Sequence, residues 1–284
     1  MGNKLSQDKV MEVDKSQKRM GSRFAIRLLY HLTKYQNLER FNLNLNNNFI
    51  DSEGVCGFNL GKLNKLQHLK FSISENIICS IGTESLGQQI KQCKKLSSLD
   101  ICLSYNQKIG SEGIIKFSQI LSELANLSSI SLDFYRVDLT SQGVIYLGQK
   151  LQHCNQLSNI VLYLGHNMID QEGCLQLAYS LFNCPKLQKL HLGLEHNNIG
   201  SQGFQQIGNQ ILHSQTIKNL SLQVNDCGID KEGVTQFGRF IKKNQVLLSF
   251  KIDIKWNKLQ QFEISQMIHR INKFKRLVQL SVKF

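Results

Sequence analysis

An α/β solenoid of about nine strand-and-helix turns is the fold this sequence predicts, and three observations predict it. Gly113, Gly143, Gly173, Gly203 and Gly233 stand thirty residues apart. Apolar positions at Leu38, Leu66, Leu96, Leu127, Leu157, Leu187, Ile217, Leu247 and Leu277 keep nearly the same spacing, so nine rungs run from about residue 38 to Phe284. Within each rung the hydrophobic period changes from two to that of a helix, and a fixed period of this length is the mark of a stacked repeat.

The clearest rung runs from Leu187 to Thr216. Leu190, Leu192 and Leu194 alternate with polar residues, which predicts a strand with one buried face. Phe204, Ile207 and Ile211 then recur at helical spacing after Gly203, which predicts a helix with its apolar stripe turned inward. One such turn cannot offset the conformational entropy of its own residues. Stacking buries both of its sides.

Before the first full rung, Leu28, Leu32 and Tyr35 match the helical half of a repeat, so residues 22–37 read as a capping half-repeat. Residues 1–21 read as a flexible basic tail, and residues 38–284 as the repeat domain, with about eight full repeats and a final strand at Leu280, Val282 and Phe284. That last strand leaves an open sheet edge.

Between strand and helix the rungs carry Asn48, Asn76, Asn106, Asn167, Asn197 and Asn257, with Cys227 and Val137 once each. An amide stacked there can satisfy backbone groups of neighbouring turns. Val137 cannot, which makes Arg136, Val137 and Asp138 the expected site of a local irregularity.

The pattern L-x-x-L-x-L-x-L-x-x-N-x-I, then x-x-x-G and a helix, resembles the leucine-rich repeat family. The period and the true helix are most similar to its ribonuclease-inhibitor-like class, which includes the Ran GTPase-activating proteins. That resemblance covers about nine-tenths of the chain and implies a horseshoe with parallel strands on the concave face and helices on the convex face. It also implies a protein-binding scaffold, not an enzyme, with no cofactor.

Composition agrees with one elongated domain. The 284 residues are 41% hydrophobic with a single proline, and no apolar run is long enough to span a membrane. Of the eight cysteines none forms a C-x-x-C pair, and Cys93, Cys154 and Cys184 each precede a strand leucine by three residues. These are expected to be reduced core thiols at helix ends, as in a cytoplasmic protein. The net charge of +13 sits at the two ends: about +5 over residues 1–37, −1 over the middle, and +9 over residues 239–284. Nucleic acid would call for a continuous basic stripe with aromatics to stack on, and the strand face supplies none.

The start MGNKLS matches the N-myristoylation pattern, with Gly2 as acceptor and Ser6 in place. One acyl chain binds membranes only marginally, and Lys4, Lys9, Lys15, Lys18, Arg19 and Arg23 would reinforce it. Asp8, Glu12 and Asp14 oppose them. The expectation is reversible peripheral membrane contact through the amino terminus.

Outward-facing strand positions fall into columns. One contains Val161, His191 and Ser221, and the next Cys102, Asp133, Tyr163 and Gly193; beyond the strand a third holds Tyr135, Gly165 and Glu195. The rim column runs Asn47, Glu75, Tyr105, Arg136, His166, His196, Asp226 and Trp256. Tyrosine, tryptophan and arginine are the usual anchors of protein interfaces. The expected partner-binding residues are therefore Tyr105, Asp133, Tyr135, Arg136 and Tyr163, together with His166, His191, Glu195, His196 and Trp256. His166 and His196 with Glu195 and Asp226 have metal-ligand chemistry, but exposed polar residues are the simpler reading.

Catalytic spacing motifs are absent. The stretch around Gly57, Gly61 and Lys62 is one residue short of a phosphate loop, with Leu63 where Ser or Thr is needed. Two rival readings remain open: a GTPase-activating protein of the Ran-directed kind, with Arg136 just after a strand, and a regulatory module of a larger protein. The basic carboxyl-terminal end departs from the acidic region common in the former.

Overall fold

A computed structural model describes residues 9–32, 34–272 and 277–284, and Gly2 and Lys4 lie outside them. The chain divides into two compact units, residues 1–138 and 139–284.

In the first unit five strands, β1 Val10–Asp14, β2 Arg40–Asn44, β3 His68–Ser72, β4 Ser98–Cys102 and β5 Ser129–Asp133, pair in parallel and in chain order. They alternate with α1 Gly21–Leu32, α2 Ser52–Cys56, α3 Ser80–Lys91 and α4 Gly110–Ser118. The second unit repeats the plan. Its strands are β6 Asn159–Tyr163, β7 Lys189–Gly193, β8 Asn219–Gln223, β9 Ser249–Asp253 and β10 Gln279–Lys283, again parallel and sequential. Its helices are α5 Ser141–Gln152, α6 Gln171–Phe182, α7 Gly200–His213, α8 Lys231–Lys243 and α9 Gln261–Asn272. Ten parallel strands alternating with helices make this an α/β leucine-rich repeat solenoid in class.

One strand was not expected. β1 lies within the segment read as a flexible tail, and its Met11 and Val13 pair in register with Phe41 and Leu43. The free edge of β2 recruits it, because unpaired strand N–H and C=O groups favour another parallel partner. Lys15 N–H and Gln17 N–H continue the ladder to the Asn44 and Asn46 carbonyls, at 2.9 Å each.

The core of each unit lies between strands and helices. Phe41, Leu43 and Leu45 fill it in the first unit, and Leu190, Leu192, Leu194, Phe204 and Phe237 in the second. The Phe204 and Phe237 rings stack with centroids 4.1 Å apart. All eight cysteines are free. Burial pushes the Cys93 thiol up to about 11 and those of Cys154 and Cys184 up to about 12. The stretch carrying Gly61 and Lys62 is a short 3-10 turn, Leu60–Lys62, after the brief α2.

Adjacent helices are joined by a repeated cap. Ser141 Oγ donates to Asp170 Oδ1 at 2.6 Å, and the Asp170 N–H returns a bond to Ser141 Oγ at 3.0 Å. Asp170 Oδ1 also accepts from the Gly173 N–H at 2.9 Å, capping α6. Ser22 with Asp51, and Ser201 with Asp230, repeat the arrangement. Hydrogen bonds to these carboxylates hold them below their ordinary range, those from Ser22 and Ser201 leading at Asp51 and Asp230 and the Gly173 N–H leading at Asp170. At α3 the aspartate is replaced by Cys79, whose Sγ lies 3.0 Å from Ser52 Oγ and makes no cap bond to the helix. Cys79→Asp is therefore expected to stabilise the fold by about 1 kcal/mol, the usual value of a restored cap, measured as a rise in the denaturant midpoint.

Two of the period-thirty glycines lie against the preceding helix at the same contact. A Cβ at Gly173 would lie 2.9 Å from the Cα of Ser141, and one at Gly113 would lie 3.0 Å from the Cα of Ser80. These positions are small because the preceding helix passes against them, not because the backbone there needs an unusual dihedral.

Candidate binding surface

The asparagines behind the strands set the geometry of the rim. Asn76 Oδ1 accepts from the N–H groups of Asn48 and Ile50, at 3.1 and 2.8 Å, while its Nδ2 donates to the carbonyls of Leu45, Ile73 and Ser74. Asn48, Asn106, Asn167, Asn197 and Asn257 make bonds of the same kind. Cys227 donates its Sγ–H to the Leu194 carbonyl at 3.2 Å. Val137 is buried, and Asp138 after it has a left-handed φ of 59°. The division between the two units follows Asp138.

The residue before each ladder position is left-handed. Asn47, Glu75, Tyr105 and Arg136 in the first unit have φ of 56°, 52°, 59° and 54°. In the second, His166, His196, Asp226 and Trp256 have 53°, 55°, 49° and 55°. This conformation turns the chain off the sheet while the same residue's N–H still reaches the next rung, as His196 N–H does to the Asn225 carbonyl at 2.8 Å. For residues other than glycine, asparagine, aspartate and histidine it costs about 1–2 kcal/mol. Asn47 and Asp226 suit it, His166 and His196 tolerate it, and Glu75, Tyr105, Arg136 and Trp256 do not.

In the first unit these positions form an aromatic patch. The Tyr105 and Tyr135 ring centroids are 5.3 Å apart, and the Arg136 guanidinium lies 5.9 Å from the Tyr105 centroid. Tyr105 is 44% exposed, so the patch faces solvent. Asp133 is committed within the chain: Oδ1 accepts from the Tyr135 N–H at 3.1 Å and Oδ2 from Cys102 Sγ at 3.2 Å. Burial and the Asp133 charge raise the Cys102 thiol.

In the second unit His166 and His196 stack with ring centroids 3.9 Å apart. His196 Nδ1 lies 3.0 Å from Asp226 Oδ2, and the Trp256 ring, 73% exposed, is 6.2 Å from His196. Tyr163 packs against His191 at 4.9 Å on the strand face. Glu195 is turned back over the sheet, into the room left by two glycines. A Cβ on Gly165 would lie 2.7 Å from its Oε1, and one on Gly193 would lie 3.0 Å from its Oε2. Asp226 joins the surface as the partner of His196, and the left-handed column is what sequence reasoning missed.

Burial lowers the pKa of the His191 imidazole, opposed in part by a hydrogen bond with Gln223. The folded state then binds fewer protons there than the unfolded state, so stability falls as pH drops below about 6.5. His191→Gln is expected to flatten that part of a melting-temperature profile; an unchanged slope would remove His191 as its source.

No family model matches the chain, and no curated protein matches it. Among solved structures the chain is similar to the leiomodin-1 actin-binding site 2, at 10% sequence identity over 66% of this chain and 86% of that one, with a TM-score of 0.38.

Proposed function

We propose that the protein is a non-catalytic interaction scaffold that binds a partner protein through its rim column and the neighbouring strand face. The observation that carries this reading is the choice of side chains at the left-handed positions. Glycine or asparagine would serve the backbone there, as Asn47 does, yet Tyr105, Arg136 and Trp256 occupy three of them against that preference, and His166 and His196 stand between them in the column. Backbone strain accepted in favour of exposed aromatic and cationic groups is expected where those groups have a task. Tyrosine, tryptophan and arginine are also the residues that dominate interface energetics.

In this reading the repeats are of the ribonuclease-inhibitor-like class, and the protein is cytoplasmic. Gly2, outside the described residues, carries a myristoyl group that gives reversible membrane contact. Among the described residues no helix is long and apolar enough to cross a membrane. The test is affinity capture with mild crosslinking from the native cells. Wild type is compared with a variant carrying His166→Asn, His196→Asn and Trp256→Asn, and with a second carrying Tyr135→Ala, Arg136→Ala and Tyr163→Ala. A protein held by wild type and lost from either variant supports the reading; identical captures refute the site.

A further inference from the structure

The turns that lead from helix back to strand in the first unit carry lysines at equivalent places. Lys34 precedes Leu38 as Lys62 precedes Leu66, and Lys65 and Lys95 stand alike before Leu66 and Leu96. Neighbouring rungs repeat about every 4.8 Å, so these positions bring like charges together. Lys34 Nζ lies 5.2 Å and Lys62 Nζ 5.9 Å from the centroid of one ring, that of Tyr30. Neither lysine forms an ion pair among the described residues.

Between them lies a depression of about 350 Å³ lined by Tyr30, Lys34, Gln36, Gly61, Lys62 and Asn64. Gln36 and Asn64 place further amide donors at its edge. Two cations over one aromatic ring, with amides around them, form a seat for a phosphate.

The surface extends past the depression along α1. From Lys15 to Leu38 the chain has no acidic residue, and Arg23, Phe24 and Arg27 are exposed on this helix. Phe24 is 45% and Tyr30 61% exposed. Cations interleaved with exposed aromatics over a whole helix suit a plane of phosphates better than one soluble ion. Aromatic rings sit at the headgroup level of a bilayer, and basic side chains add to the attraction of an anionic leaflet.

We propose that this edge of the first unit binds the phosphate headgroups of an anionic membrane, with Lys34 and Lys62 straddling one phosphate above Tyr30. The contact needs no lipid on Gly2 and uses none of the rim residues, so its failure would leave the interaction-scaffold reading untouched.

The test uses the full chain carrying Gly2→Ala, which removes any acyl contribution. Co-sedimentation is measured with vesicles of phosphatidylcholine alone and with vesicles containing about one-fifth phosphatidylserine, in about 0.1 M salt. Binding is expected only to the anionic vesicles, and adding Lys34→Gln and Lys62→Gln should weaken it about thirtyfold. Lys242→Gln with Lys243→Gln removes the same charge from the end of α8 and should leave binding unchanged. The proposal is overturned if the anionic vesicles are not bound, if the two double variants lose binding equally, or if inorganic phosphate alone is bound.

Discussion

Asn76→Ala is expected to cost about 2–5 kcal/mol, because two buried N–H groups lose the acceptor they share. Asn76 is 7% exposed, and its Oδ1 receives the N–H groups of both Asn48 and Ile50. The carbonyls it serves are less dependent on it. Leu45 also accepts from Asn48 Nδ2, and Ile73 from Asn106 Nδ2. The loss is therefore dominated by the orphaned donors, and amide hydrogen exchange should locate it at Asn48 and Ile50. Denaturant unfolding measures its size. A cost below about 1 kcal/mol would mean that water replaces the amide and that the ladder is not a principal support of the rungs.

Gly173→Ala is the second large effect, expected at about 2–4 kcal/mol. The new methyl would meet Ser141 at its Oγ, Cβ and Cα, at 2.5, 2.7 and 2.9 Å. A side-chain rotation can clear Oγ but not Cα, so α5 and α6 must separate and the cap between Ser141 and Asp170 is strained with them. Gly238 on α8 provides the contrast in the same unit. Its nearest neighbour to an added Cβ is Met267 Cγ at 3.5 Å, an ordinary contact. Gly238→Ala should be neutral or stabilising by up to about 1 kcal/mol, since alanine is the better helix former. Equal effects of the two substitutions in denaturant unfolding would show that close packing against α5 is not what keeps position 173 a glycine.

Much of the fold is legible in the residues because a solenoid repeats its constraints. Leu190, Leu192 and Leu194 announce a strand, Asn197 the turn behind it and Gly203 the helix contact, and each signal recurs from rung to rung. β1 escaped because its rung keeps only part of the pattern. Met11 and Val13 hold the apolar places, but Lys15 stands where Leu45 does and Lys18 where Asn48 does. The Asn48 side chain compensates by accepting from the Lys18 N–H at 3.0 Å and donating to the Lys15 carbonyl at 2.8 Å.

The surface was legible as a set of columns but not in its conformation. Period two places Tyr163 and His191 on the outer face, and the observed register agrees with that placement. The left-handed turn leaves only a faint trace in residue type, in Asn47, His166, His196 and Asp226, since Glu75, Tyr105, Arg136 and Trp256 do not prefer it. Glu195 shares a column with Tyr135, yet its carboxylate folds back toward Gly165 and Gly193. The hint that it folds back was the pair Gly165 and Gly193, whose missing side chains leave the space it fills.

The central claim is that the rim side chains are retained for a partner and not for the fold. Its most direct measurement is stability and partner binding, side by side, for the variant carrying His166→Asn, His196→Asn and Trp256→Asn. Asparagine accepts the left-handed backbone, which offsets the loss of exposed ring contacts, so unfolding free energy should stay within about 1 kcal/mol of wild type. The account predicts that the captured partner is lost while the fold is kept. A variant that unfolds far more readily, or that keeps its partner in full, would contradict it.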